Sequence, residues 1–389
     1  LTLANGAVNM HATGPVAPHA EFSASPLISL IDAPIDFVDD SFLGTGNTVT
    51  WAWSFGDGSI STQQNPSHAY AATGTYNVTL IVSTSDGSDA EVKQGYVQII
   101  DGKRIYVNKA SAAPIQNGFT WGTAFNTLQK GIDAVNAAGG GEVWVAQGTY
   151  NEARGASSGV LNMRNLVTLY GGFVGTETEE AQRDPKTHVT TIDGSTARNG
   201  EPAIHVILGA DNTVIDGFTI TGGRATSVGT TTDFQGGGLF NLGVSTTVSN
   251  CTFTNNQART TGGAIFTSGG SIQILDCTFS GNGVSNTAAA NANATAFGGA
   301  VYNTDTTATI TGCTFSANNA AATGTWTTGA GVTAQALGGG LYCFNSTATI
   351  DGCVFGGNTV AGTGSGSGKF NSADVAAAPI ARGGGIYVR

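Results

Sequence analysis

Charge is what this sequence has least of. Only 11 % of its 389 residues are Asp, Glu, Lys or Arg, against about a quarter in an average chain. Acids outnumber bases, and the formal net charge of −11 excludes the basic footprint of a nucleic-acid or anionic-membrane binder. No apolar run approaches the roughly 18 residues of a membrane-spanning helix. The five histidines are scattered, without metal-ligand spacing. The five cysteines are an odd number, which a complete set of internal disulfides cannot use. What is abundant is glycine, 58 residues, about double the usual share, together with Thr, Ser, Ala and Asn. That composition fits a β-rich extracellular protein.

One pattern is written four times between residues 236 and 358. A glycine pair with a small and an aliphatic residue is followed by Cys-x-Phe-x-x-Asn. The copies place cysteine at Cys251, Cys277, Cys313 and Cys353, phenylalanine at Phe253, Phe279, Phe315 and Phe355, and asparagine at Asn256, Asn282, Asn318 and Asn358. The second glycine of the pair precedes the cysteine by 14 residues in every copy, whereas the return from Asn to the next pair takes 5, 15, 19 and 24 residues. A fixed stretch joined by a growing one marks a solenoid with loops on one side. The shortest period, 26 residues, is too short for two packed helices and suits one coil of a parallel β-helix. Successive coils then stack at about 4.8 Å.

Cys and Phe two apart point the same way from a strand, so both columns belong inside the tube. The asparagines fall where an inward turn leaves backbone groups unpaired, and an amide ladder satisfies them. The glycine pairs suit a corner with positive φ or a close approach of coils. Cysteines in line have parallel Cβ vectors about 4.8 Å apart, wider than the roughly 3.8 Å of a disulfide. They read as a buried thiol stack, with a disulfide as the alternative and a metal site disfavoured because cysteines in line cannot surround an ion tetrahedrally.

The phased Gly-Gly-Ala-Ile (262–265) and Phe-Ser-Gly-Asn (279–282) motifs resemble the GGA[ILV]/FxxN repeats of the chlamydial polymorphic outer membrane proteins, and more broadly bacterial secreted right-handed β-helix proteins. Upstream, Trp53-Ser-Phe-Gly-Asp-Gly58, then Asn65-Pro66, His68, Tyr70, Gly74 and Tyr76 resemble the PKD domain. That resemblance implies an immunoglobulin-like β-sandwich acting as spacer or weak binder. Its aromatics read as core. Asp57 reads as a turn former, with a calcium ligand as the alternative; no other cofactor is expected.

The fold expected is therefore all-β: a PKD-like sandwich, then a right-handed parallel β-helix with a short N-terminal capping helix. Residues 1–18 read as leader or linker and 19–100 as the sandwich. Residues 101–389 read as the β-helix, with the cap at about 105–150, irregular coils at 151–235 and phased coils at 236–389, incomplete at the C-terminus. Phe125, Leu128, Ile132 and Val135 have helical spacing across 121–138, and Gly139–Gly141 ends that helix. The phrase Tyr170-Gly-Gly-Phe-Val-Gly-Thr-Glu177 with Gln182-Arg183-Asp184 resembles the cap of such proteins. Phe218 and Ile220 stand at the Cys and Phe positions of an earlier coil, and Gly223 at the Asn position.

The variable segments 224–235, 257–261, 283–297, 319–337 and 359–382 read as loops projecting from one side. Their aromatic and cationic points, Phe234, Phe297, Trp326, Lys369 and Phe370, are the candidate binding residues. No catalytic, cofactor-binding or metal residues are assigned. Asp276 and Asp351 read as one coil position, just before the cysteines of separate repeats, and facing outward. Asp193, His205, Asp211 and Asp216 are the acids and base in the early coils that could converge. The expected function is non-enzymatic and extracellular or cell-surface: adhesion, or binding of a glycan, a matrix, a host or a neighbouring cell. The alternatives are a self-assembling subunit, with copies of itself as partner, and a polysaccharide lyase or glycoside hydrolase. No nucleic acid and no membrane-spanning segment are expected.

Overall fold

The computed structural model describes residues 14–100, 103–155, 159–226, 231–289, 292–326, 334–366 and 380–388. It divides into two compact units, Leu1–Lys103 and Arg104–Arg389. In the first, a three-stranded sheet (Phe22–Ser25, Pro34–Asp39, Ser67–Ala69) and a five-stranded sheet built around the hairpin Gly74–Thr84/Gly87–Ile100 form a sandwich. Alternation along Gly74–Thr84 buries Val78, Leu80 and Val82. The aromatics Phe22, Phe37, Trp53, Phe55 and Tyr70 fill the core between the sheets. The Tyr70 hydroxyl donates to the Phe55 carbonyl at 3.0 Å, and the Trp53 indole N–H to that of Gln63 at 2.9 Å. Asp57 closes its own turn by accepting the Ser59 N–H at 2.9 Å, and its other oxygen lies 2.8 Å from His68 Nε2. The stretch expected as leader or linker is anchored from Val16, whose N–H donates to Thr45 Oγ1 at 2.9 Å.

The second unit is a parallel β-helix. The coil opening at Gly262 spends three short strands, Ile265–Ser268, Ser271–Leu275 and Thr278–Ser280. Their equivalents stack in register into three parallel sheets. The first face, containing Ser271–Leu275, has eight strands; the second, with Thr278–Ser280, and the third, with Ile265–Ser268, have seven each. The two glycines of each pair do different work. Gly262 turns a corner at φ 61. Gly263 makes room, because a Cβ there would collide with the Gly299 carbonyl of the next coil and sit 2.6 Å from that of Gly283.

Inside the tube Phe253, Phe279, Phe315 and Phe355 stack at 5.2, 4.7 and 4.6 Å. All five cysteines are free; burial pushes the Cys277 thiol well up. Each asparagine of the inward turn holds the coil before it. Asn282 Oδ1 accepts the Asn256 N–H at 3.1 Å, and Asn282 Nδ2 donates to the Phe253 carbonyl at 2.8 Å. Gly223, which has no side-chain amide, is held in the same way, its N–H donating to Asn256 Oδ1 at 3.1 Å. A second inward column, Asn241, Thr267 and Asn303, runs along the third face. All three are fully buried, and Asn241 Nδ2, Thr267 Oγ1 and Asn303 Oδ1 have no hydrogen-bond partner among the described residues.

Helix α1 (Leu128–Ala137) lays Leu128, Ile132 and Val135 onto Ile105, Val107, Val143 and Val145, covering the first coils. It is shorter than the spacing implied. Trp121–Thr123 is a single 3-10 turn closed by a Thr120 capping box, and Phe125 forms an extended parallel bridge with Val107, its N–H donating to the Tyr106 carbonyl at 3.0 Å. Gly139 and Gly140, at φ 85 and 102, end the helix.

Where they are described, the segments expected as loops carry strands. Gln257–Ala258, Gly283–Thr287, Asn319–Trp326 and Thr359–Gly366 run out from the coils, continuing a sheet that starts at Arg224–Ala225; Ala294–Phe297, Ala334–Leu337 and Ile380–Arg382 run back in a second sheet. Alanines meet between these sheets, among them Ala258, Ala296, Ala320, Ala322 and Ala336. The coils deliver consecutive segments already in register at about 4.8 Å, so pairing proceeds even through residues of poor strand propensity. The result is a flat wing on one side of the stack.

Candidate functional site

A second departure from plain coil geometry is an arm, residues 174–189, between the strands Val167–Phe173 and Thr190–Asp193. Side chains fold it locally. The Glu177 carboxylate accepts the N–H groups of Val174, Gly175 and Thr176 at 2.5, 2.9 and 2.9 Å. Burial would raise that carboxyl, but the three donors outweigh it and hold Glu177 below its ordinary range. Gln182 Oε1 accepts from the Thr178 and Glu179 N–H groups at 2.8 and 3.0 Å. Asp184 accepts from the Thr187 hydroxyl at 2.8 Å and the Lys186 N–H at 3.0 Å, and these hold it low as well.

Arg183 fastens the arm to the coils. Its guanidinium pairs with Glu180 at 2.6 Å and buried Asp216 at 2.5 Å, donates to the Gly171 carbonyl at 3.2 Å and lies 4.8 Å from the Tyr170 ring centroid. Burial would lower its pKa; the two carboxylates raise it instead. The other Asp216 oxygen accepts from Ser249 Oγ and from Asn250 Nδ2 at 2.8 Å. Glycines admit this docking. A Cβ at Gly217 would lie 2.8 Å from Pro185 Cγ and 2.9 Å from Arg183 Nη1, and one at Gly172 would lie 2.6 Å from the Pro185 nitrogen.

Between the arm and the second face lies an open groove of about 670 Å³. Its floor is the hydroxyl row Thr219, Thr252 and Thr278, which face one another on consecutive coils. Asn250 and Asp276 border it at the corner, both at positive φ (50 and 51). Glu180, Asp184 and Lys186 edge it with the apolar Ala181, Pro185 and Val189. Chemically this is a shallow trough of fixed donors and acceptors with apolar edges.

The residues singled out from sequence lie elsewhere. Phe234 is half-buried under the Arg259 guanidinium, whose Cζ is 4.8 Å from its ring centroid. Phe297 is half-buried in the wing, stacked 5.2 Å from Tyr342. Trp326 ends the outgoing strand Asn319–Trp326. Lys369 and Phe370 lie outside the described residues. Asp276 and Asp351 do not share a coil position: Asp351 pairs with Thr311, which pairs with Leu275, and Asp276 is the next residue, in the corner.

The early acids and base serve separate structural ends. Asp193 caps the Ser195 N–H at 2.8 Å, and Asp211 accepts the Ser245 N–H at 3.0 Å. His205 is buried against Phe240, with Nδ1 2.9 Å from the Gly236 carbonyl oxygen, and burial lowers its pKa. Only Asp216 reaches the groove, through Arg183 and Asn250. Among the described residues no group of three or more His, Cys, Asp or Glu could hold a metal ion, and no helix is long and apolar enough to cross a membrane. The threonine floor escaped notice because each Thr sits between two conspicuous core residues, as in Cys251-Thr252-Phe253. Its signal is the hydroxyl repeated at the same place from Thr219 through Thr252 and Thr278 to Thr314, before Val354 ends the row.

Comparison with known proteins divides the chain similarly. A family profile described as PKD domain matches residues 16–99, and one described as protein of unknown function (DUF1565) matches residues 116–358. Collagenase ColA of Bacillus cereus is 36 % identical over 67 residues, 17 % of this chain and 7 % of that protein. A microbial collagenase of Vibrio alginolyticus is 36 % identical over 74 residues, 19 % and 9 % of the two chains. This chain thus spans under a tenth of the length of either relative. Among solved structures, the PKD1 domain of Vibrio anguillarum Epp aligns with 26 % identity over 22 % of this chain and 100 % of its own, at a TM-score of 0.20. Pectin methylesterase PemA from Erwinia chrysanthemi aligns with 11 % identity over 69 % and 91 %, at a TM-score of 0.31.

Proposed function

The chain belongs to the DUF1565 family, and from that premise we propose that it is a non-catalytic, extracellular glycan-binding protein whose ligand lies in the groove between the arm and the second face. The observation that carries this reading is the floor of the groove. Thr219, Thr252 and Thr278 present hydroxyls at the coil spacing from a backbone fixed by parallel pairing. A saccharide offers hydroxyls that donate and accept, and C–H faces that pack on apolar surface. The trough supplies both, with Ala181, Pro185 and Val189 as the apolar edge. Pre-set geometry lowers the cost of ordering the site on binding.

A binder rather than a hydrolase is favoured by how the acids are used. Hydrolysis asks for two carboxylates flanking a bond, one of them free to carry a proton. Asp216 is closed in by Arg183, Ser249 and Asn250, Asp184 by the Lys186 and Thr187 groups, and Glu180 by Arg183. That leaves Asp276 as the one lining carboxylate so unengaged among the described residues, without the second that hydrolysis needs. An extracellular setting is supported by the PKD match and by the likeness of a short part of the chain to bacterial collagenases. In such a setting the glycan belongs to a matrix, a host or a neighbouring cell, as the resemblance to the chlamydial repeats implies.

The test is a glycan array probed with the whole chain, followed by titration of the best ligand. Thr252→Gln and Thr278→Gln fill the floor from outward positions without touching the core, and each is expected to weaken binding more than ten-fold. Binding unchanged in both variants removes the ligand from the groove. Release of new reducing or unsaturated ends would replace the binder with an enzyme.

A further inference from the structure

The charges around the groove are unevenly committed. Glu180, Asp184 and Asp276 line it, against Arg183 and Lys186. Arg183 is spent: Glu180, Asp216 and the Gly171 carbonyl take its donors and Tyr170 takes its face. A further carboxylate, Asp216, therefore stands directly behind the lining. Asp276 is exposed and makes no ion pair among the described residues. Its position is fixed. The backbone is in the left-handed region at φ 51, and its N–H donates to the Thr311 carbonyl at 2.9 Å. A Cβ on Gly312 would collide with Asp276 Oδ1, so the carboxylate lies over the bare corner of the next coil. The only cation lining the groove without a carboxylate partner among the described residues is Lys186. Carboxylates thus outnumber cations, and the chain as a whole carries −11.

A field of that sign repels a polyuronate and attracts an ammonium group. We propose that the groove selects amino sugars: its ligand is a hexosamine polymer with free amines, and Asp276 is the residue that receives an ammonium group. The neighbouring threonines then serve the hydroxyls of the same sugar. This inference rests on the groove being the glycan site.

The experiment titrates the whole chain with three oligosaccharides of matched length, at low and high ionic strength. They are a glucosamine oligomer, its fully N-acetylated counterpart and a galacturonate oligomer. The glucosamine oligomer is expected to bind tightest, with a preference over galacturonate that shrinks as salt screens the field. Asp276→Asn should weaken glucosamine binding about three- to five-fold, the range of one solvent-screened ion pair, and leave the N-acetylated oligomer unchanged. Asp351→Asn, an exposed acid on the same stack away from the groove, removes the same charge and should change neither.

Tighter binding of galacturonate, with or without added calcium, overturns the inference and leaves the groove reading standing. So does an equal effect of Asp276→Asn and Asp351→Asn, which would reduce the preference to the net charge of the chain. Binding of all three that ignores Thr252→Gln, or no binding of any, overturns the groove reading and the inference together.

Discussion

Replacing Asn282 with alanine tests whether the amide ladder holds the coils together. The residue is 1 % exposed. Its Oδ1 accepts the Asn256 N–H at 3.1 Å and Asn256 Nδ2 at 3.2 Å; its Nδ2 donates to the Phe253 carbonyl at 2.8 Å and to Asn318 Oδ1 at 3.1 Å. Alanine deletes all four bonds. The Asn256 N–H is left buried without its acceptor, which costs about 1–3 kcal/mol. The other losses are partial. Asn256 Nδ2 keeps the Ile220 carbonyl at 2.9 Å, and Asn318 Oδ1 keeps the Asn282 N–H at 3.0 Å. Those add about 1 kcal/mol, so the total is about 2–4 kcal/mol.

Solenoids do not always unfold in one step, so the readout should be local as well as global. Denaturant unfolding gives the overall loss. Hydrogen exchange at the Asn256 amide gives the local one, expected to accelerate roughly 30- to 1,000-fold at about 1.4 kcal/mol per decade. Ser280→Ala, outward on the neighbouring strand, is the control and should stay within about 0.5 kcal/mol. A cost for Asn282→Ala as small as that of Ser280→Ala would refute the ladder as a source of stability.

Two further outcomes follow from polar groups used in opposite ways. Glu177 is held below its ordinary 4.5 by backbone donors, so its contribution to the arm is complete above that value and lost as pH falls through the lower, folded-state pKa; proteolysis or exchange within 174–189 should rise on acidification, and Glu177→Gln should flatten that profile. An arm equally protected throughout would show that the nest of N–H groups does not hold it. Thr267 carries a buried hydroxyl with no partner, so Thr267→Val, which swaps that hydroxyl for a methyl of the same shape, should leave the melting temperature unchanged or raise it. A clear fall would mean that the hydroxyl is bonded after all, for instance to an enclosed water.

Much of the fold was legible because the interior repeats. The constant 14-residue interval holds the same strands and corners in each coil, and Phe218 with Ile220 carried the pattern back into coils lacking the cysteine. The wing was not legible. Ala320, Ala322, Ala334 and Ala336 are weak strand formers, and their strands exist because the coils on either side present partners. The groove was legible only in fragments. Gly217 and Arg183 lie far apart in sequence, and nothing in either residue announces that one is bare so that the other can reach Asp216. Asp216 was noted as a candidate acid, but its partner on the arm decides what it does. The threonine floor hid in plain view, since outward positions of a strand carry no constraint that a periodicity argument can weigh.

The growing wing also bears on how the coils find their places. A stack of near-identical coils has a ready error: one coil can dock a step out of place and still match Cys to Cys, Phe to Phe and Asn to Asn. The outgoing strands lengthen from Gln257–Ala258 to Gly283–Thr287 to Asn319–Trp326. A coil seated one position away would set a long arm against a short one, leaving unmatched backbone and uncovered alanine. Unequal arms therefore give the coils from Gln257–Ala258 to Asn319–Trp326 an address, and the feature that makes the repeat look ragged in sequence is what keeps their order unambiguous.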